Sequence, residues 1–68
     1  MEIPIVVNGQ AQTVAEGATV IGLLQQLNLD PARVAVELDR RIVKQPVWGE
    51  TVLAAGAQVE IVQFVGGG

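Results

Sequence analysis

The apolar residues at the start of the chain alternate with other residues. Three branched side chains share one parity there: Ile3, Ile5 and Val7. The dipeptide Asn8-Gly9 follows, and it accepts the positive φ angles of a tight hairpin turn. The pattern predicts a strand that turns into a second strand over residues 10–15, with Val14 as its core contact. Because proline cannot donate to a strand ladder, we expect Pro4 at the start of the first strand.

The spacing of apolar residues then changes to that of a helix. Four branched residues recur at helical intervals: Val20, Leu23, Leu24 and Leu27. They share one face, and the hydroxyl of Thr19 is placed to accept from the free amides of the first turn. Asn28 tolerates the left-handed conformation that ends a helix, and Asp30-Pro31 opposes continuation. The pattern therefore predicts one amphipathic helix that opens at Val20 and packs its apolar face in the core.

Strand-like alternation returns in the second half of the chain. It predicts strands over Val34–Leu38, over Ile42-Val43 and from Val59 onwards. Asp39-Arg40-Arg41 is expected to form the turn between the first two of these strands. Trp48 lies in the loop that follows, where the scarcity of other large side chains makes it the expected packing anchor.

The order of these elements limits the architecture. One helix covers only one face of a sheet, and a right-handed crossover through it places the first and last strands parallel in the middle. We predict an α+β fold of the β-grasp type, with a mixed sheet of four to five strands and one main helix packed on one face. The β-grasp domain is expected to span residues 1–65, and residues 66–68 to form a flexible glycine tail.

The composition excludes much side-chain chemistry. Half of the 68 residues are apolar, and the chain has no Cys and no His. It therefore lacks thiolate nucleophiles, disulfides and zinc knuckles, together with the commonest general base near neutral pH. Ordering the chain costs about 1.5 kcal/mol per residue, so most of its apolar residues are needed for the core. We expect a protein that is not an enzyme, with no catalytic residue, no metal ligand and no cofactor.

The charge argues against polyanionic partners. Seven acidic residues against four basic ones give a net charge of −3, the wrong sign for non-specific binding to nucleic acid or to an anionic membrane. The first residues, Met1-Glu2-Ile3-Pro4, lack the basic region of a signal peptide. We expect a cytoplasmic protein with no nucleic-acid or membrane partner.

The glycines Gly66, Gly67 and Gly68 follow directly on the last predicted strand. Glycine contributes no side chain to packing, so this tail cannot serve to stabilise the fold. Three extended residues reach about 10 Å, which is enough to place a terminal carboxylate in the active site of another protein. A carboxylate is a poor electrophile, so the carboxylate of Gly68 would need activation by a partner. The chain would then be a substrate or carrier, and the alternative is a terminus with no function.

The features that carry a family resemblance run nearly from end to end of the chain. They are Ile5–Gly9, Glu16–Val20 with Leu23-Leu24 and Leu27, Arg33–Leu38, Ile42-Val43 with Trp48 and Thr51, and Val59–Val62 with Phe64–Gly68. In order and spacing they resemble the ThiS family, the ubiquitin-like sulfur carrier proteins of thiamine biosynthesis. The resemblance implies that an E1-like adenylating enzyme joins AMP to the Gly68 carboxylate. It also implies that a sulfur donor converts the adenylate to a thiocarboxylate, whose sulfur passes to thiazole synthase.

A carrier must also be gripped by its partners, and the last strand offers a surface for this. Glu60, Val62 and Phe64 share one parity that becomes apolar toward the tail. We predict that Val62 and Phe64 form a docking surface on the outer face of the sheet, with Val6 beside them.

Two other interpretations remain open. The small subunit of molybdopterin synthase is similar in fold and also ends in Gly-Gly, but it donates sulfur to a pterin precursor. The Val65–Gly68 ending and the Trp48-x-x-Thr51 spacing favour the thiazole carrier. The third interpretation is a binding-only ubiquitin-like module whose carboxylate is never activated.

Overall fold

The computed structural model describes residues 1–65, which form a five-stranded sheet with one α-helix. The strands are β1 (Glu2–Val7), β2 (Gln10–Ala15), β3 (Val34–Leu38), β4 (Arg41–Val43) and β5 (Gln58–Gln63). The helix α1 covers Val20–Gln26, and short 3₁₀ turns cover Pro31–Arg33 and Gln45–Val47.

The sheet joins two hairpins through a central parallel pair. Its strand order is β2-β1-β5-β3-β4. The first and last strands, β1 and β5, are parallel, whereas the pairs β1/β2, β3/β4 and β3/β5 are antiparallel. This confirms the predicted α+β class and the ubiquitin-like β-grasp architecture, with the sheet at the upper end of the expected strand number.

The hydrophobic core lies between α1 and one face of the sheet. The helix contributes Val20, Leu23 and Leu24, all fully buried, as its apolar stripe predicts. Leu27 is half-buried at the margin of the core, because the helix ends at Gln26 and Leu27 serves as its C-cap. Within residues 1–65 no polar or charged residue is buried, so this core is held by apolar packing.

The ends of α1 are built as the sequence indicates. Thr19 is the N-cap, and its Oγ1 accepts from the Gly22 amide at 3.2 Å. Asn28 follows the helix with a φ of 59°, the left-handed conformation expected there. The amides of Val20 and Ile21 at the start of the helix donate to loop carbonyls at 3.0 and 3.3 Å, so the loop around Trp48 satisfies groups that no helical turn can reach.

Trp48 anchors that loop, as predicted. Its side chain is 3% exposed, and its indole Nε1 donates to the Val43 carbonyl at 2.7 Å. The bond ties the loop to the end of β4, while the ring fills space in the core.

The first hairpin turn does more than reverse the chain. Asn8 and Gly9 have φ angles of 49° and 81°, which confirms the predicted turn conformation. The Asn8 amide donates to the Val59 carbonyl at 2.8 Å. The Asn8 side chain then pairs with Ile61: Nδ2 donates to the carbonyl at 3.1 Å, and Oδ1 accepts from the amide at 2.8 Å. The side-chain amide of Asn8 thus makes the two bonds that a backbone residue would make in a ladder, and it extends the pairing of β5 beyond the end of β1.

The prediction for Pro4 was wrong, because β1 begins at Glu2 and Pro4 is its third residue. The backbone amide of Val6 donates to the Ala57 carbonyl at 2.9 Å, on the side of β1 where β5 lies. Because backbone groups alternate along a strand, the nitrogen of Pro4 faces that same side. The paired part of β5 starts only at Gln58, opposite Val6, and no ladder bond is therefore lost at Pro4.

The two hairpin turns offer a matched test of the Asn8 bonds. Asn8→Gly retains an easy positive φ but removes both side-chain bonds to Ile61, so we expect the free energy of unfolding to fall by about 1 to 2 kcal/mol. Arg40 occupies the other turn at a φ of 70°. Arg40→Gly relieves about 1 kcal/mol of left-handed strain, and this control should be neutral or stabilising. Urea unfolding measures both, and equal effects would contradict the role given to Asn8.

Candidate functional site

The face of the sheet opposite α1 carries an exposed apolar area. Ile42, Val62 and Phe64 are 75%, 59% and 56% exposed. Val62 is paired with Ala35 across β5 and β3, and the pairing of Glu37 with Ile42 puts β4 on the same face. We name this area the outer patch and define it as Ala35, Ile42, Val62 and Phe64.

The register of β5 explains why the outer patch is apolar. Val59 and Ile61 point into the core and are buried, so the alternate residues point away from α1. Phe64 continues this alternation beyond the strand, because its amide donates to the Arg33 carbonyl at 2.7 Å. The predicted docking residues Val62 and Phe64 therefore lie on one face, as their shared parity indicated.

A shallow depression of about 130 Å³ lies within the outer patch. Its lining consists of Ala35, Val36, Glu37, Ile42, Glu60 and Val62. The lining is mostly apolar, and two acidic residues, Glu37 and Glu60, contribute to it. This combination suits the side chain of a partner protein better than a small polar substrate.

Val6 is on the same face but not beside the other two predicted docking residues. It is half-buried and lies opposite Gln58, at the start of β5. Val62 is four residues further along that strand, which is a separation of about 13 Å at the rise of a strand. The structure therefore brings Val62 and Phe64 together and leaves Val6 at the far end of the sheet.

The chain runs from β5 past the outer patch toward its glycines. Val65, the last described residue, is 97% exposed. The predicted tail residues Gly66, Gly67 and Gly68 lie outside the described residues. Gly66 is bonded to Val65, so the glycine segment begins within two residues of Phe64 in the outer patch.

Ile42, Ala35 and Glu37 belong to this surface but were missed by sequence reasoning. The parity of β5 alone does not show which residues of the neighbouring strands lie beside Val62. Asp39 and Arg40 have φ angles of 50° and 70° and form a two-residue turn, which places Ile42 opposite Glu37. Recognition of that turn length would have put Ile42 on the outer face.

The described residues offer little other site chemistry. Residues 1–65 contain one ion pair, between Arg33 Nε and Asp30 Oδ2 at 3.7 Å, and both side chains are largely exposed. Over the same residues, no group of three or more metal-ligating side chains converges, and no helix is long and apolar enough to cross a membrane. A second depression of about 390 Å³, lined by Asp39, Arg40, Gln58 and Glu60, is open to solvent.

A comparison of neighbouring β5 residues tests whether the outer patch is dispensable for folding. Ile61→Ala removes buried side-chain volume and should lower the free energy of unfolding by about 2 to 5 kcal/mol. Val62→Ala truncates an exposed side chain and should change it by about 0.5 kcal/mol or less. Urea unfolding of both variants makes the measurement. A large loss for Val62→Ala would show that the patch is needed by the fold.

Two of the most similar curated relatives are thiazole synthases. The chain is 39% identical over 61 residues to that of Magnetococcus marinus and 36% identical over 64 residues to that of Paramagnetospirillum magneticum. These matches cover 90% and 94% of this chain but only 19% and 20% of the two relatives. The chain thus spans about a fifth of the length of the thiazole synthases it matches, and those proteins contain a segment similar to it.

A third relative matches over nearly its whole length. The sulfur carrier protein ThiS of Escherichia coli is 34% identical over 64 residues, which cover 94% of this chain and 97% of that protein. At this identity and coverage, the two chains share a family.

Solved structures agree with this relationship. The crystal structure of the thiamine biosynthesis protein ThiS from Geobacter metallireducens matches with a TM-score of 0.83 at 33% identity, and the match covers 97% of this chain and all of that one. A solution structure of a thiamine biosynthesis protein from the same organism matches with a TM-score of 0.80 at 35% identity, over 97% of this chain and 88% of that one. The ThiS family model matches residues 5–68, and the chain therefore belongs to the ThiS family.

Proposed function

We propose that this chain is a sulfur carrier of thiamine biosynthesis and that it reacts as a substrate, through the carboxylate of Gly68. Its family membership and its nearly full-length similarity to the Escherichia coli sulfur carrier support this role. The observation that carries the proposal is the outer patch, an exposed apolar surface unneeded by the core and placed directly before the glycine segment.

The first step makes the carboxylate reactive. A carboxylate oxygen of Gly68 attacks the α-phosphorus of ATP on an E1-like adenylating enzyme, and pyrophosphate leaves. The product is an acyl adenylate, whose carbonyl carbon is a far better electrophile than that of a free carboxylate. The cytoplasm, which supplies ATP, is the proposed location.

The second step exchanges oxygen for sulfur. A donor that supplies sulfur at the oxidation level of sulfide attacks the carbonyl carbon, the C–S bond forms, and AMP leaves with one of the original carboxylate oxygens. The product is a thiocarboxylate on Gly68. The chain has no Cys, so no thiol of its own can capture the acyl adenylate or exchange with the bound sulfur.

The proposed acceptor of the sulfur is a thiazole synthase. Two proteins of that name contain a segment similar to this chain within a single polypeptide. Covalent linkage raises the effective concentration of a carrier beside its acceptor. We infer that this chain delivers its sulfur directly to a thiazole synthase, so its surface contacts with that enzyme are part of the proposed function.

The outer patch is the proposed docking surface for these partners. Val62 and Phe64 form its part nearest the tail, and Ile42 extends it across β4. An interface of ordinary size buries about 800 Å² on each partner, which is wide enough to include Val6 at its rim. Gly66 and Gly67 would then enter the partner, because residues without a Cβ pass through a channel that excludes side chains.

The carrier reaction is tested by intact-mass analysis after incubation with ATP, an adenylating enzyme and a sulfur donor. We expect one oxygen-to-sulfur exchange, confined by fragmentation to Gly68. An unchanged mass with partners that process another carrier would contradict the proposal and favour a binding-only module. Sulfur transfer to the large subunit of molybdopterin synthase, and not to thiazole synthase, would show that the chain is the small subunit of molybdopterin synthase.

Removal of Gly67 and Gly68 separates the reacting end from the fold. The five strands and α1 found in residues 1–65 lie between Glu2 and Gln63, so we expect the thermal midpoint of unfolding to stay nearly unchanged. Sulfur transfer should be abolished, because the carboxylate no longer reaches the adenylating site. A drop in the free energy of unfolding above about 1 kcal/mol would instead assign the two glycines to the fold.

A further inference from the structure

Two carboxylates face each other across the sheet beside the outer patch. Glu37 on β3 is paired directly with Glu60 on β5, on the face that α1 leaves uncovered. Both residues are exposed. Side chains at directly opposite positions have Cβ atoms about 5 Å apart, and like charges in such a pair destabilise a sheet. The free protein therefore bears a local electrostatic cost at this position.

No basic residue in the described part of the chain forms an ion pair with either glutamate. Its one ion pair joins Arg33 to Asp30 and involves neither glutamate. Arg41 is paired with Leu38, so it points to the opposite face of the sheet from Glu37. Arg40 lines the same open depression as Glu60, but it forms no ion pair within 4.0 Å. The two carboxylates are left for a group outside the chain.

The apolar residues around Glu37 and Glu60 indicate which kind of external group would bind there. Glu37 and Glu60 line the depression whose other lining residues include Ala35, Ile42 and Val62. A bound metal ion would need more ligands than two carboxylates beside three aliphatic side chains. A protein surface that presents an apolar side chain next to a cation satisfies both parts of the depression.

We propose that Glu37 and Glu60 together form a recognition site for an arginine of the partner protein that docks on the outer patch. This inference rests on the proposed carrier function and specifies the chemistry of its partner. The planar guanidinium carries donors on two edges and contacts two neighbouring carboxylates at once, which a compact ammonium does less well. Binding of the arginine removes the repulsion between the two glutamates, so the local cost in the free protein favours the complex.

The inference is tested with three charge-neutralising variants. Glu37→Gln and Glu60→Gln each remove one carboxylate of the site. Glu16→Gln is the matched control, since Glu16 is exposed, follows β2 at the opposite edge of the sheet and changes the net charge equally. Titration calorimetry measures the affinity of each variant for the adenylating enzyme and for thiazole synthase, at low and at high salt.

We expect Glu37→Gln and Glu60→Gln each to weaken binding to at least one of these partners by about tenfold or more, and Glu16→Gln to change it by less than about twofold. The affinity of the unmodified chain should also fall more steeply with salt than that of the two site variants. In the free protein, the same two variants should raise the thermal midpoint by about 1 to 6 °C, because they remove the like-charge pair.

The outcomes divide clearly. Equal losses for all three variants would show an effect of net charge alone and overturn the recognition site, as would unchanged affinity in the two site variants. Absence of binding by the unmodified chain to both partners would overturn it as well. If the unmodified chain binds but never acquires sulfur, the carrier function fails, while the relative affinities still decide the role of Glu37 and Glu60.

Discussion

A single helix packs against one face of the five-stranded sheet, and this one-sided packing determines which residues of the described structure are buried. α1 supplies Val20, Leu23 and Leu24 to the core, and the strands supply the buried residues that face it. The opposite face receives no such cover within residues 1–65. The apolar residues there cannot contribute to the core and so remain available to other proteins.

β5 connects this asymmetry to function. Its inward residues Val59 and Ile61 complete the core, whereas its outward residues Glu60 and Val62 form the exposed surface. The strand is held on both edges, by β3 from Val59 to Gln63 and by β1 near its start. Asn8 extends the second contact to Ile61. The β5 part of the outer patch is therefore held in place by neighbouring strands on both sides.

The proposed carrier role does not require an active site within this fold. The two depressions described above are both open to solvent, so neither is an enclosed reaction cavity, and the chain has no thiol or imidazole. A reactive group at the end of the chain needs neither. In the proposed function the folded part serves recognition: apolar contacts of the outer patch would supply affinity, and the Glu37/Glu60 pair would supply charge specificity.

Local patterns were enough to predict most elements. The hairpin at Asn8-Gly9, the helix opened by Thr19, the strand over Val34–Leu38 and the anchoring role of Trp48 depend on short-range preferences and on side-chain periodicity. The position of Pro4 was predicted wrongly, because a proline is tolerated inside β1 only where β5 offers no hydrogen-bond partner. Where β5 begins to pair depends on the contact of Val6 with Gln58, more than fifty positions away.

The fold class, the parity that exposes Val62 and Phe64, and the lack of thiol and imidazole chemistry could all be predicted from the amino-acid sequence. The neighbours of Val62 and Phe64 could not. The folded sheet places Ile42 and Ala35 beside Val62, pairs Glu37 with Glu60, and leaves Val6 far from Val62. The physical reason is that alternation along one strand determines which face a residue occupies, whereas its neighbours on that face depend on the register between strands.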